Sequence, residues 1–258
     1  AYSRKLSSRF STALALRYVF SNLTSNINVA GANTKPGQAV AADISAFYQN
    51  NELTLGSKKA TYSFGVNMSN LGSKISYSET AVRDFIPMNL KIGNNITLEL
   101  DDYNKLSFMV DFNKLLVPTP PEIARDSTGS PVYGADGTIQ LSAGKPSNVG
   151  TVAGLTQSFY DAPGGFNEEL REVMWAVGLE YWYDNLFAFR TGYFHEAASK
   201  GNRQYFNIGA GLRYNVFGID FAYLIPTVQQ NPLQNTLRFT LTFNFESSKG
   251  GTTDKPAN

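Results

Sequence analysis

A single histidine, His195, and no cysteine limit what chemistry this chain could do. One histidine is enough for a Ser-His-acid triad, in which a carboxylate orients the imidazole and the imidazole takes the serine proton. Serine and aspartate are plentiful, yet nothing in the sequence places a nucleophile beside His195. No nucleophile elbow and no phosphate-cradling glycine loop is present. Without cysteine, a thiolate zinc site and a disulfide framework are both ruled out. No cluster has metal-ligand spacing. The expectation is a chain with no catalytic residues, no metal and no cofactor.

The side chains left for polar work are charges set at alternating positions among large apolar groups. They are Arg17, Asp43, Lys91, Glu99, Lys105, Asp111, Glu180, Arg190, Arg213, Asp220 and Arg238. The two signs nearly balance, which predicts a ladder of ion pairs filling an interior. An ion-selective pore would more often show a surplus of one sign.

The elements that must position them read as β-strands. In Asn235 to Phe245 (NTLRFTLTFNF) Leu237, Phe239, Leu241, Phe243 and Phe245 alternate with polar residues, and a period of two sends the two sets to opposite faces. About ten strands follow this rule. They are Ser7–Ser21, Ala39–Asn50, a third starting near Lys59 and running past Gly72 to Tyr77 through a bulge, Met88–Leu100 and Lys105–Val117. After a long interruption come Glu172–Tyr183, Leu186–Ala197, Gln204–Tyr214, Val216–Ile225 and the terminal strand. The apolar residues are spread over alternating positions, and no run approaches the roughly 20 residues of a membrane helix. Charged residues are only 17% and aromatics 13% of the 258 residues. The predicted fold class is therefore all-β, a transmembrane antiparallel β-barrel. A net charge of +1 without a basic stripe gives no case for nucleic acid.

Loop lengths orient such a barrel, because periplasmic turns are short and extracellular loops long. Counting back from Phe245, the short connections fall near Asn215, Asp184-Asn185, Asp101 to Asn104 and Asn51 to Ser57. The long ones fall at Pro226 to Gln234, Ser199 to Arg203, Pro118 to Leu170, Ser78 to Pro87 and Asn22 to Gln38. Domain organisation follows: a barrel over 1–245, with an extracellular loop at 118–170 and a polar, disordered periplasmic tail at 246–258. No secretory signal opens the chain, which predicts a cleaved signal or a longer N-terminus.

The 118–170 loop is the candidate binding element, since loops of this length are commonly functional or disordered. Its start, Pro118-Thr119-Pro120-Pro121, is stiff, and its middle is rich in Gly, Ser and Asp with nothing to bury. Val152 to Tyr160 predicts a short helix, broken at Asp161 to Gly165, and Asn167 predicts the cap of a second one opening with Glu168-Glu169. That arrangement would hold Phe159, Tyr160, Asp161 and Phe166 on an extracellular platform for a partner. The bland alternative packs these aromatics onto the barrel rim.

Several stretches together resemble one family: SNLGSKISY (Ser69 to Tyr77), FIPMNLKIG (Phe85 to Gly93) and DFNKLLVPTPP (Asp111 to Pro121). With them go SFYDAPGGFNEELREVMWAVGLEYWY (Ser158 to Tyr183), GYFHEAASKGNRQYFNIGAGLRYN (Gly192 to Asn215) and NPLQNTLRFTLTFNF (Asn231 to Phe245). They are similar to the PorV (LptO) family, outer-membrane barrels of the Bacteroidota type IX secretion system within the FadL-like superfamily. The resemblance covers most of the chain and is closest from Asp111 to Phe245. It implies a fourteen-stranded barrel lacking four N-terminal strands, a plug segment and a signal peptide here, the alternative being a ten-stranded barrel closed by itself. It also implies carriage of proteins rather than catalysis. The implied partners are the SprA (Sov) translocon barrel at its lateral gate, the C-terminal signal domains of secreted cargo, the PorU sortase complex and outer-membrane lipid. Two other readings are a FadL-like transporter of hydrophobic small molecules and a lipid A deacylase built on His195.

Overall fold

The computed structural model describes residues 1–23, 28–29, 32–78, 83–228 and 236–244. One antiparallel sheet dominates. Its strands are β1 (Tyr2–Lys5), β2 (Phe10–Ser21), β3 (Gly37–Leu55), β4 (Lys58–Gly72), β5 (Asn89–Glu99) and β6 (Asn104–Leu115), followed by β7 (Met174–Tyr183), β8 (Phe187–His195), β9 (Gln204–Tyr214), β10 (Phe217–Pro226) and β11 (Leu237–Phe243). The 11 strands lie side by side in chain order. Each is hydrogen-bonded to its sequence neighbour, with β1 and β11 as the two edges. No helix among the described residues is long and apolar enough to cross a membrane.

The alternation sorts the faces as expected. On one face Leu16, Tyr18, Phe20, Phe187, Phe189, Phe239 and Leu241 are all more than half exposed. Aromatic side chains gather at both ends of this face. Tyr103 stacks with Tyr183 and Phe217 meets Phe243 at the short-turn end, while Trp175, Tyr193, His195 and Phe206 cluster at the long-loop end. Short connections fall at one end of the sheet and long ones at the other. Asp184 and Asn185, at φ 51° and 52°, turn β7 into β8, a conformation that short Asp and Asn side chains tolerate and that matches strand twist.

Three strand readings need correction. The N-terminus does not lead straight into a strand at Ser7; Tyr2–Lys5 is a strand of its own, joined to β2 through Leu6–Arg9, so the sheet has 11 strands rather than about ten. A strand of only four residues carries too few alternations to stand out. The turn at Asn51 to Ser57 shrinks to Gly56-Ser57, because β3 continues to Leu55 past a register shift. Finally, β4 stops at Gly72 and its phase switch lies at Ser69-Asn70, two residues opposite Asp43 alone. Asn70 sits there at φ 59° and donates its backbone N–H to Asp43 Oδ1 at 2.9 Å, which satisfies the bulge locally. The 246–258 tail and Phe245 lie outside the described residues.

A small apolar core occupies the long-loop end of β2–β6. Ala39, Ala41, Ile86, Met88 and Leu116 are buried there, with Val19, Leu71, Phe85, Val117 and Leu155 packed around them. It ties the long loop to the sheet.

Candidate partner-binding site

The 118–170 segment is folded throughout. The Gly, Ser and Asp-rich middle, read as having nothing to bury, is a knot of short β pairings. Glu122–Ile123 pairs with Leu141–Ala143, and Ala124, Val132 and Gln140 close a ring in which each N–H donates to the next carbonyl. Two aspartates make its turns: Asp126 Oδ1 accepts from Thr128 and Ser130, and Asp136 Oδ1 accepts from Thr138. The side-chain hydrogen bond from Thr128 to Asp126, and from Thr138 to Asp136, is the main reason both carboxyls are held below their ordinary range. Asx turns replace a hydrophobic core as the organising force, which a search for buried apolar residues misses.

Beyond this knot come α1 (Thr151–Gln157) and α2 (Phe166–Arg171). Both helices were expected, but the capping differs. Asn167 lies inside α2, whose N-cap is Gly165 at φ 68° with no side-chain cap. Glu169 instead accepts hydrogen bonds from the backbone N–H groups of Asp161 and Ala162, at 2.7 and 2.9 Å. It holds the preceding turn in place. α1 lies so close to the sheet that a Cβ on Gly154 would stand 2.6 Å from the Phe85 ring.

The four platform residues divide. Phe159, Tyr160 and Phe166 are 48%, 58% and 76% exposed. Phe159 and Phe166 join Leu170 and Val173 above Leu90, Ile92 and Phe112 of the sheet's apolar face, around an apolar groove of about 260 Å³. The aromatics thus both reach solvent and lean on the rim, so the two expectations for them combine. Lys145 sits 3.7 Å from the Tyr160 ring centroid. Asp161 behaves differently: at 1% exposure it faces the interior of the loop.

Beneath the platform lies an ionic network that sequence reading missed. Lys114 lies in register with Leu90, at the end of the apolar column Phe108-Val110-Phe112. There it is 7% exposed and donates to Glu169 Oε2 at 3.0 Å and Glu172 Oε2 at 2.7 Å. Lys200, from a short 3-10 turn between β8 and β9, donates to Glu168 Oε1 and Glu172 Oε1 at 2.6 and 2.9 Å. The Thr119 hydroxyl also donates to Glu172, at 2.6 Å. Burial pushes the Glu172 carboxyl up, but the bonds from Lys114, Thr119 and Lys200 outweigh it and hold it below the usual range. Glu168 is lowered chiefly by Lys200. Nearby, Arg203 grips the buried Glu196 with two nitrogens at 2.7 and 2.8 Å, holding that carboxyl low. A signal was available: Lys114 interrupts an apolar alternation, and a cation there needs a carboxylate.

On the polar face most of the ladder closes as pairs. Arg17 meets Asp43, Lys91 meets Asp111 at 3.1 Å, and Arg190 bridges Glu180 and Asp220, which also accepts from Arg213 at 2.6 Å. Trp182 lies under both Arg190 and Arg213. Glu99 and Lys105 share register, but the Lys105 ammonium turns to Asn185 at 3.1 Å. Arg238 lies on the edge strand and lines a cavity with Arg190 and Asp220. His195 belongs to the other face, stacked on Trp175 at 5.0 Å between ring centroids.

With this geometry in view, residues 1–122 match the family model described as the type IX secretion system protein PorV. Over that N-terminal stretch, a little under half of its length, the chain is similar to the PorV family. The match spans β1 to β6 and the start of the long loop. The platform and β7–β11 lie beyond it, where the quoted motifs alone carry the resemblance. The matched family is a component of the type IX secretion system. No curated protein matches the chain.

Proposed function

We propose that this chain, similar to PorV over its first 122 residues, is an outer-membrane barrel wall that carries secreted proteins. It docks on the SprA translocon barrel at its lateral gate, takes cargo by the C-terminal signal domain and passes it to the PorU sortase complex. The observation carrying the reading is the folded platform at the long-loop end, with Phe159, Tyr160 and Phe166 exposed over a rigid ionic base. Exposed aromatics on a preorganised support bind at low entropic cost. The apolar face with an aromatic belt at each end supports placement in a bilayer. The short turns at the other end offer little surface to a folded cargo domain, so the long loops are assigned to the cell exterior. The ion pairs on the inner face favour a filled lumen over a route for apolar small molecules. The stacking of His195 on Trp175 favours a packing role for it over a deacylase site.

The test is a gentle-detergent pull-down of the full-length protein from outer membranes, wild type against Phe159→Ala/Tyr160→Ala/Phe166→Ala. Wild type should recover a very large barrel partner or secreted proteins sharing a C-terminal β domain. The triple variant should lose at least about 30-fold of the cargo, since one interface hot spot carries about 2 kcal/mol or more. Undiminished cargo recovery would end the platform's role.

A further inference from the structure

Asp161 is the least explained group of the platform. It is 99% removed from solvent, and only one of its two oxygens is used. Oδ2 accepts from the Thr119 N–H and from Gln157 Nε2, each at 3.2 Å. Among the described residues, Oδ1 is buried without a partner. The groups around it are carboxylates: Glu169, whose other oxygen binds Lys114, and Glu172, which is shared by Lys114 and Lys200. Glu168 from α2 is held by Lys200, and Lys145 is turned onto the Tyr160 ring. Both lysine ammoniums of the network are thus already engaged by other acids. An ionised Asp161 would be a buried charge facing like charges without a cation of its own, an arrangement proteins avoid by keeping the proton.

We propose that Asp161 is the positioning residue of the platform and that it works as a neutral, protonated acid. Its neutrality is the latch: once the proton leaves, a buried charge faces Glu169 and Glu172 without a cation, which favours opening of the turn at 157–169 while the sheet stays intact. The direction follows from the surroundings. Burial pushes the carboxyl up, the bonds from Gln157 and Thr119 pull it back, and Glu169 and Glu172 push it up again, for a net rise. A carboxyl raised in the folded loop contributes stability that is lost as pH rises through its folded value. Glu168 and Glu172 are lowered and therefore stay ionised through that window. The platform should then be tightest in mild acid and looser toward neutrality. This concerns only the order of the platform, whatever it binds.

Amide hydrogen exchange on the full-length protein tests it, comparing about pH 4, near the ordinary value, with about pH 8 after correction for intrinsic rates. In wild type, residues 157–169 should open more at the higher pH, by about tenfold for each unit by which the folded value exceeds the ordinary one. Asp161→Asn should abolish that rise, with β5–β7 protected equally in both proteins. Glu169→Gln keeps an acceptor for the Asp161 and Ala162 N–H groups but removes one like charge, so it should shrink the rise even if Asp161→Asn fails to fold. Equal opening of wild type at both pH values would overturn the proposal. So would a full rise in Asp161→Asn, or one undiminished in Glu169→Gln. A pull-down that recovers no partner would leave the exchange result standing.

Discussion

Replacing Lys114 with Met probes the support of the platform most directly. The chain keeps its length, but Glu169 loses its cation at a site where both side chains are 8% exposed. Glu172 keeps Lys200 and Thr119. Removing one partner of a buried pair costs about 3–5 kcal/mol, because the orphaned charge remains buried. The lower end, about 3 kcal/mol, is the working figure. That corresponds to roughly two orders of magnitude in the opening equilibrium of the loop. Hydrogen exchange at Asp161 and Ala162, whose N–H groups Glu169 accepts, reads it directly. The strand amides should keep their protection. Because the pair is buried, salt should change the wild-type value little. Adding Glu169→Gln should recover most of the loss, since a neutral pair leaves no orphaned charge. If Lys114→Met leaves the exchange of 161–162 unchanged, the network does not support the platform.

Three further outcomes follow from the geometry. Gly154→Ala should push α1 off Phe85, because its Cβ would lie 2.6 Å from the ring; overpacking of this kind costs about 1–3 kcal/mol, visible as faster protease nicking of 151–171. Acid should release the loop between β8 and β9: Arg203 holds the Glu196 carboxyl low, so the clamp is intact above the ordinary glutamate value and lost as pH falls through the lowered one, a transition that Glu196→Gln should remove from the exchange profile of 196–203. Replacing His195 with Ala should remove the stack on Trp175 and leave lipid A acylation in the host unchanged; altered acylation would revive the enzyme reading.

The alternation by itself determined the sheet, its two faces and the end at which the long loops gather. A period of two is a local property, and large apolar residues on one face admit few other arrangements. The alternation also put Arg17 and Asp43, and Arg190 and Glu180, on one face; the first pair meets diagonally across neighbouring strands and the second directly opposite. The short strand Tyr2–Lys5 escaped because its few residues carry little periodicity. The ordered knot at 122–143 escaped because its aspartates act through the backbone, without an apolar signature. Only the tertiary structure decided the platform. Lys114, Glu169, Glu172 and Lys200 come from four separate stretches of chain, and nothing local announces that they meet. Asp161 shows the same limit from the other side. From the sequence it was one more exposed polar residue beside the aromatics, and only the fold of the loop over it removed its water.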